Sequence, residues 1–215
     1  MMNILVTGFE PFGAEAVNPS EAALAALMAD VPAGVALATT VLPVRYAAAV
    51  TELRAAILRH APAVVIATGQ AGGRAEISVE RVAINVDDAR IPDNDCVQRI
   101  DAPVVAGGPA AYFSGLPIKA LVAAMRARGI PTQVSQTAGT FLCNHVFYAA
   151  CHIAATEKPG LRAGFIHMPF LPEQAAAHAG APSMALAGIV AALRVAIETV
   201  RDVREDVRVA EGAVQ

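Results

Sequence analysis

A cysteine attacks a carbonyl carbon efficiently when its thiolate is favoured and a histidine can take and return the proton. One of the three cysteines in this chain has the setting such a nucleophile needs. Cys143 lies in the segment from Ser135 to His152, SQTAGTFLCNHVFYAACH, which follows the short β-branched run IPTQV. After the small-residue turn Ala138-Gly139-Thr140, the residues Phe141, Leu142, Val146, Phe147, Ala149 and Ala150 recur at helical spacing, with Thr140 the expected N-cap. Cys143 then falls in the first helical turn, where free backbone N–H groups and the helix dipole favour thiolate and can hold an oxyanion. A buried cysteine packed as a small hydrophobe is the alternative on this local context.

His167 is the candidate base. It sits near the carboxyl end of RAGFIHM, a strand stopped by Pro169-Phe170-Leu171-Pro172, although a lone strand histidine can equally be a hydrogen-bonded structural residue. Glu80 lies in AEISVERVAIN, from Ala75 to Asn85, whose alternation reads as a half-buried strand. On spacing alone a solvated strand carboxylate is the favoured reading of Glu80, with a role at the site as the alternative. Of the other histidines, His145 points away from Cys143 on the helix, His152 is more than two turns along, His60 is a helix C-terminal cation, and His178 sits in an alanine-rich loop without an evident partner.

Strands and helices alternate around these residues as in an α/β chain. Asn3 to Thr7 is a strand ending in the loop GFEPFGAEAVNPSE, which carries Phe9 and Phe12 as either a local plug or the wall of a pocket. Asn18, Pro19 and Glu21 form a variant capping box for the helix that follows. Val35 to Val44 is a second strand and Tyr46 to His60 an amphipathic helix. AVVIATG suits a buried parallel strand, delivering the loop that starts at Gln70 to the carboxyl edge of the sheet, where open α/β proteins bind ligands. Asp87 to Gly115 is a long loop, Pro117 to Arg128 a helix closed by Gly129, and Ser183 the expected cap of a helix from Met184 to about Val203. The charged tail beyond is expected to fray.

With 215 residues, 55% hydrophobic and 16% charged, and no composition shift, the chain is expected to form one domain over residues 1–215. A net charge of −3 without a basic stripe gives no reason to expect nucleic acid or a membrane as partner. No apolar run approaches the roughly 18 residues of a membrane span. The three cysteines at 96, 143 and 151 make neither a disulfide set nor a metal pattern, which suits a reducing cytoplasm. The acidic group Asp87, Asp88, Asp93 and Asp95 lacks cation-site spacing, and GxGxxG is absent.

Taken together, GFEPFG with NPS, GQAGGR, ERVAIN with DARIPDN, SQTAGTFLCNHVFY and GFIHMPFLPEQ resemble type I pyroglutamyl peptidase, a cysteine-type peptidase family, along nearly the whole chain. The resemblance implies a three-layer α/β/α sandwich with a mostly parallel central sheet. It also implies a thiol hydrolase that removes N-terminal pyroglutamate through a thioester, with Cys143 as nucleophile, His167 as base and Glu80 as its partner. Phe9, Phe12, Phe141 and Leu142 are then candidate pocket walls, Asn18 and Gln70 candidates for the lactam polar atoms, and Arg90 a candidate oxyanion donor. No cofactor or metal is implied; the expected partners are pyroglutamyl peptides and further copies of the chain, as a tetramer. The chain departs from the family's pattern at Ala14, where a glycine is common, and at Cys96 and Arg99, which replace a glycine and a proline. A nucleoside-handling enzyme of similar architecture, and a silenced oligomeric binding module, are the rival expectations.

Overall fold

The computed structural model describes residues 1–212. Its elements run β1 (Met2–Phe9), α1 (Pro19–Met28), β2 (Val35–Leu42), α2 (Tyr46–His60), β3 (Val64–Gln70), β4 (Ile77–Glu80), β5 (Val82–Ile84), β6 (Ala111–Phe113), α3 (Ile118–Ala127), β7 (Thr132–Ser135), α4 (Leu142–Thr156), β8 (Arg162–Met168), α5 (Pro172–Ala175) and α6 (Leu186–Asp202). Six strands form the central sheet in the order β2-β1-β3-β8-β4-β7, and only the β4–β8 pairing is antiparallel. The expected α/β/α sandwich is the observed fold.

Its three layers follow from strand alternation, because successive side chains of a strand covered on both faces enter opposite cores. Ile4 and Val6 of β1, Val64 and Ile66 of β3, and Ile166 and Met168 of β8 pack with α1, α3 and α6. Leu5, Val65, Ala67, Ala163 and Phe165 pack on the other face with α2 and α4. The helix that carries Cys143 therefore lies across the sheet rather than at its rim.

Several local expectations are corrected. The segment from Ala75 to Asn85 is not one half-buried strand: β4 joins the central sheet with every residue buried, and after Arg81 the chain leaves to pair β5 with β6 as a separate ribbon. Ala185, not Ser183, is the residue before α6, and Ser183 instead forms an isolated bridge to Phe170. The charged tail is held down through Glu211, its last three residues lying outside the described ones. The Asp206 carboxylate accepts from the Lys119 and Ala120 backbone N–H groups, capping α3, whose own preceding residue Pro117 offers no side-chain cap. Arg126 adds an ion pair to Glu211 at 2.6 Å.

Candidate active site

The turn between β7 and α4 is built before the helix begins. Ser135 Oγ donates to Thr137 O and accepts from Thr137 N, Gly139 takes a positive φ of 75°, and the chain enters α4 through Phe141 in extended conformation. Thr140 is therefore not the N-cap. Its hydroxyl donates to Asp88 O at 2.6 Å and its carbonyl accepts from Asp88 N at 2.9 Å, clasping the turn to the loop after β5. No side chain caps α4, and Cys143 is its second residue, partly exposed. The first-turn N–H groups that capping would have occupied are thus left beside the thiol.

His167 is the penultimate residue of β8, between Gly69 of β3 and Ser78 of β4, and is 3% exposed. The glycine at 69 is what lets the Cys143 thiol approach this strand. A β-carbon there would stand 2.8 Å from Cys143 Sγ and 2.9 Å from the Phe165 ring, both closer than real side chains pack. Any other residue would force the thiol, the Phe165 ring or both to shift.

On the far side of the imidazole, His167 Nδ1 lies 2.7 Å from Glu80 Oε1. Glu80 is fully buried, which corrects the reading of a solvated strand carboxylate. Its Oε1 also accepts from Arg74 Nη1 at 2.7 Å, while Oε2 has no hydrogen-bond partner among the described residues. Arg74 was not among the expected site residues. Its signal in the sequence is that it is the one cation between Gln70 and Glu80, at the end of a glycine-rich loop. The carboxylate makes Nδ1 the protonated nitrogen of the neutral ring and leaves Nε2 with a free lone pair. Burial works against an imidazolium here, but the charge and hydrogen bonding of Cys143, and then of Glu80, outweigh it and raise the His167 pKa from 6.5 to about 9.

Phe9, Phe12, Val44, Gln70, Phe141 and Leu142 line a narrow pocket whose remaining wall is Cys143. The Phe12 and Phe141 rings are 6.0 Å apart, and Tyr46 supports Phe141 edge-on at 5.9 Å. Mostly apolar walls with one amide suit a small neutral ring carrying few polar atoms. A larger cleft at the amino edge of the sheet, lined by Met2, Ile57, Pro62 and Lys158 among others, contains no cysteine or histidine.

The pattern of a pyroglutamyl peptidase family model matches residues 2–203. The chain belongs to the pyroglutamyl peptidase family. It is 55% identical over 212 residues to pyrrolidone-carboxylate peptidase 1 of Ralstonia nicotianae, covering 99% of each chain. The crystal structure of pyroglutamyl peptidase I from Bacillus amyloliquefaciens superposes with a TM-score of 0.93 at 42% identity, over 96% of this chain and 100% of that one. Pyrrolidone carboxyl peptidase from Thermococcus litoralis gives 0.93 at 36% identity, over 98% and 100%. Removal of N-terminal pyroglutamate is the known activity of the pyroglutamyl peptidase family, a family of cysteine-type hydrolases.

Two of the three positions expected to depart from the pyroglutamyl peptidase pattern have a backbone meaning. Ala14 and Cys96 both hold left-handed conformations, with φ of 68° and 63°, where glycine is free of the Cβ clash and other residues are strained. The third departure, Arg99, pairs at 2.9 Å with the fully buried Asp87, whose carboxylate also lies 2.9 Å from His145 Nδ1. The same guanidinium lies 4.5 Å above the Tyr46 ring. His145 thus belongs to a second polar cluster, with Asp87 and Arg99, packed against the Tyr46 ring.

The remaining candidates are placed as follows. Asn18 is 2% exposed; its Oδ1 accepts from Ser20 N as the cap of α1, and its Nδ2 donates to Glu10 O. Arg90 is exposed, on the loop clasped to Thr140, and is not among the residues lining the cavity. His152 meets the Tyr112 hydroxyl at 2.9 Å, and His178 does have a partner, Glu15, at 2.6 Å. Among the described residues no cluster of His, Cys, Asp or Glu has metal-binding geometry, and no helix is long and apolar enough to cross a membrane.

Proposed function

We propose that this chain hydrolyses the bond after an N-terminal pyroglutamyl residue, with Cys143 as nucleophile, His167 as acid and base, and Glu80 as the group that orients the imidazole. The Cys143 thiolate adds to the carbonyl carbon, and the imidazolium of His167 gives its proton to the departing amine. Water then attacks the thioester, His167 takes one of its protons, and the C–S bond breaks to release 5-oxoproline and restore the Cys143 thiolate beside the His167 imidazolium. The Cys143 backbone N–H is one donor for the oxyanion, and Arg90 is the second candidate. The observation that carries this reading is the thiol seated on Gly69 beside a histidine whose other nitrogen is tied to a buried carboxylate.

The substrates in this reading are peptides beginning with pyroglutamate, and the cavity with its single amide supports a lactam over a charged ring or side chain. Purified protein is expected to release amine from a pyroglutamyl amide and to spare the matching prolyl and glutamyl amides. Comparable turnover of all three would overturn the lactam assignment, and turnover of none would favour the silenced binding module. Assembly into a tetramer is part of the same proposal, supported by the exposure of Phe113 and Ile100 at 75% and 67%; sedimentation velocity reading a monomer would reject it. Three unpaired cysteines support a cytoplasmic setting.

A further inference from the structure

We propose that Gln174, outside the cavity and on a different element, is a positioning residue that fixes the Gln70 amide with its NH2 toward the cavity, so that the pocket offers a donor to the ring carbonyl of a pyroglutamyl group. The proposal rests on the function proposed above. Its logic is a chain of donors and acceptors that can be read in only one direction. A backbone N–H can only donate, and that of Leu171 reaches Gln174 Oε1 at 3.1 Å. The NH2 of Gln174 is thereby turned toward Gln70 Oε1 at 2.8 Å, Glu15 Oε2 at 3.0 Å and Val17 O at 3.2 Å. A peptide carbonyl and an ionised carboxylate can only accept, so Val17 and Glu15 demand the same orientation from the other side. The Glu15 carboxyl is indeed held below its ordinary pKa, first by this hydrogen bond.

With Gln174 presenting hydrogens, the end of the Gln70 amide that faces it must be oxygen. Reversing Gln70 would set NH2 against NH2. Gln174 is 4% exposed and belongs to the short helix α5, so it has little freedom to turn. Gln70 closes β3 and shares the cavity with Cys143, and its Nε2 makes no hydrogen bond to any described residue. Of the two polar groups of a lactam, only the carbonyl accepts. Proline lacks that carbonyl, so this one donor distinguishes the two five-membered rings.

The test is a double-mutant cycle on the full-length protein, with pyroglutamyl and prolyl amides as substrates. Gln174→Glu keeps an acceptor for Leu171 but cannot donate to Gln70, which then turns its own NH2 away from the cavity. KM for the pyroglutamyl amide is expected to rise on the order of ten-fold with kcat changed less, and the pyroglutamyl-over-prolyl preference to fall by a similar factor. In a Gln70→Ala background the same change should have almost no further effect on KM. Gln174→Leu, which removes the donor without adding charge, takes the place of Gln174→Glu if the latter does not fold. An unchanged KM, or an equal loss in both backgrounds with the preference intact, overturns the relay while leaving the pyroglutamyl reading in place. Absence of wild-type turnover overturns both.

Discussion

Replacing Glu80 by glutamine separates catalysis from scaffolding at this site. In the native arrangement one oxygen, Oε1, receives both the His167 ring at 2.7 Å and the Arg74 guanidinium at 2.7 Å, in a side chain with no solvent exposure. Glutamine can place its NH2 at the Oε2 position, where no acceptor stands, or at Oε1, against two donors. Either choice leaves buried donors unmet, at about 1–3 kcal/mol. The loss of charge beside Arg74 adds less than the full cost of an unpaired buried ion, because that side chain is 27% exposed and can turn to water. A total of roughly 2–4 kcal/mol in stability is expected from these terms. In catalysis the imidazolium loses its counter-charge and its tautomer is no longer imposed, so kcat should fall on the order of 10³–10⁴-fold, about 4–5.5 kcal/mol of barrier, with KM within roughly three-fold. Urea melts fix the first quantity and steady-state kinetics on a pyroglutamyl amide the second. A folded Glu80→Gln protein within ten-fold of wild-type kcat would refute the orienting role. Asn85, the nearest amide in sequence, could not readily take it over, since its side chain is occupied by Val105 and Gly108.

The His167 pKa, raised from 6.5 to about 9, makes its charged form a source of stability that is complete below about 6.5 and lost as pH rises through about 9. Activity needs the same proton for the leaving amine, so kcat/KM should fall above pH of about 9, and an alkaline limb nearer 6.5 would contradict the pairing. Ala14→Gly should raise Tm by about 1–3 °C, because relief of a left-handed alanine, about 1–2 kcal/mol, exceeds the added chain entropy of glycine, about 0.4–1 kcal/mol; a lower Tm would count against strain at that turn. Arg99→Met removes one partner of the buried Asp87 and the cation over Tyr46, so a loss of about 2–3 kcal/mol is expected in urea unfolding; a change below about 0.5 kcal/mol would make the cluster energetically idle.

The helices and most strands were legible because their signal is local. Periodicity and the caps around Asn18 and Gly129 place α1, α2 and α3 closely, and the run AVVIATG has no other use than a buried strand. What depended on distant partners was not legible. Alternation across Glu80 is the same whether the far face meets water or Arg74 and His167, so burial of the carboxylate could not be read from it. The break after Glu80 is set by β6, three residues inside a stretch that reads as a loop. Thr140 has a good capping side chain, but Asp88, 52 residues away in sequence, competes for it and wins. The tail was expected to fray from its charge, yet those charges are what fasten it to α3. At the site, Cys143 could be singled out as a candidate from its place in a helix, whereas Gly69, Arg74 and Gln174 act through contacts that no spacing in the chain records.

The most direct test is to quench the reaction with acid during turnover of a pyroglutamyl amide and map the acyl group by peptide mass spectrometry. A single pyroglutamyl adduct on Cys143, absent when the substrate is a prolyl amide and absent from Cys143→Ala, which should also be inactive, is the expected result. An adduct on Cys96, the exposed thiol, or undiminished turnover in Cys143→Ala, would contradict the account.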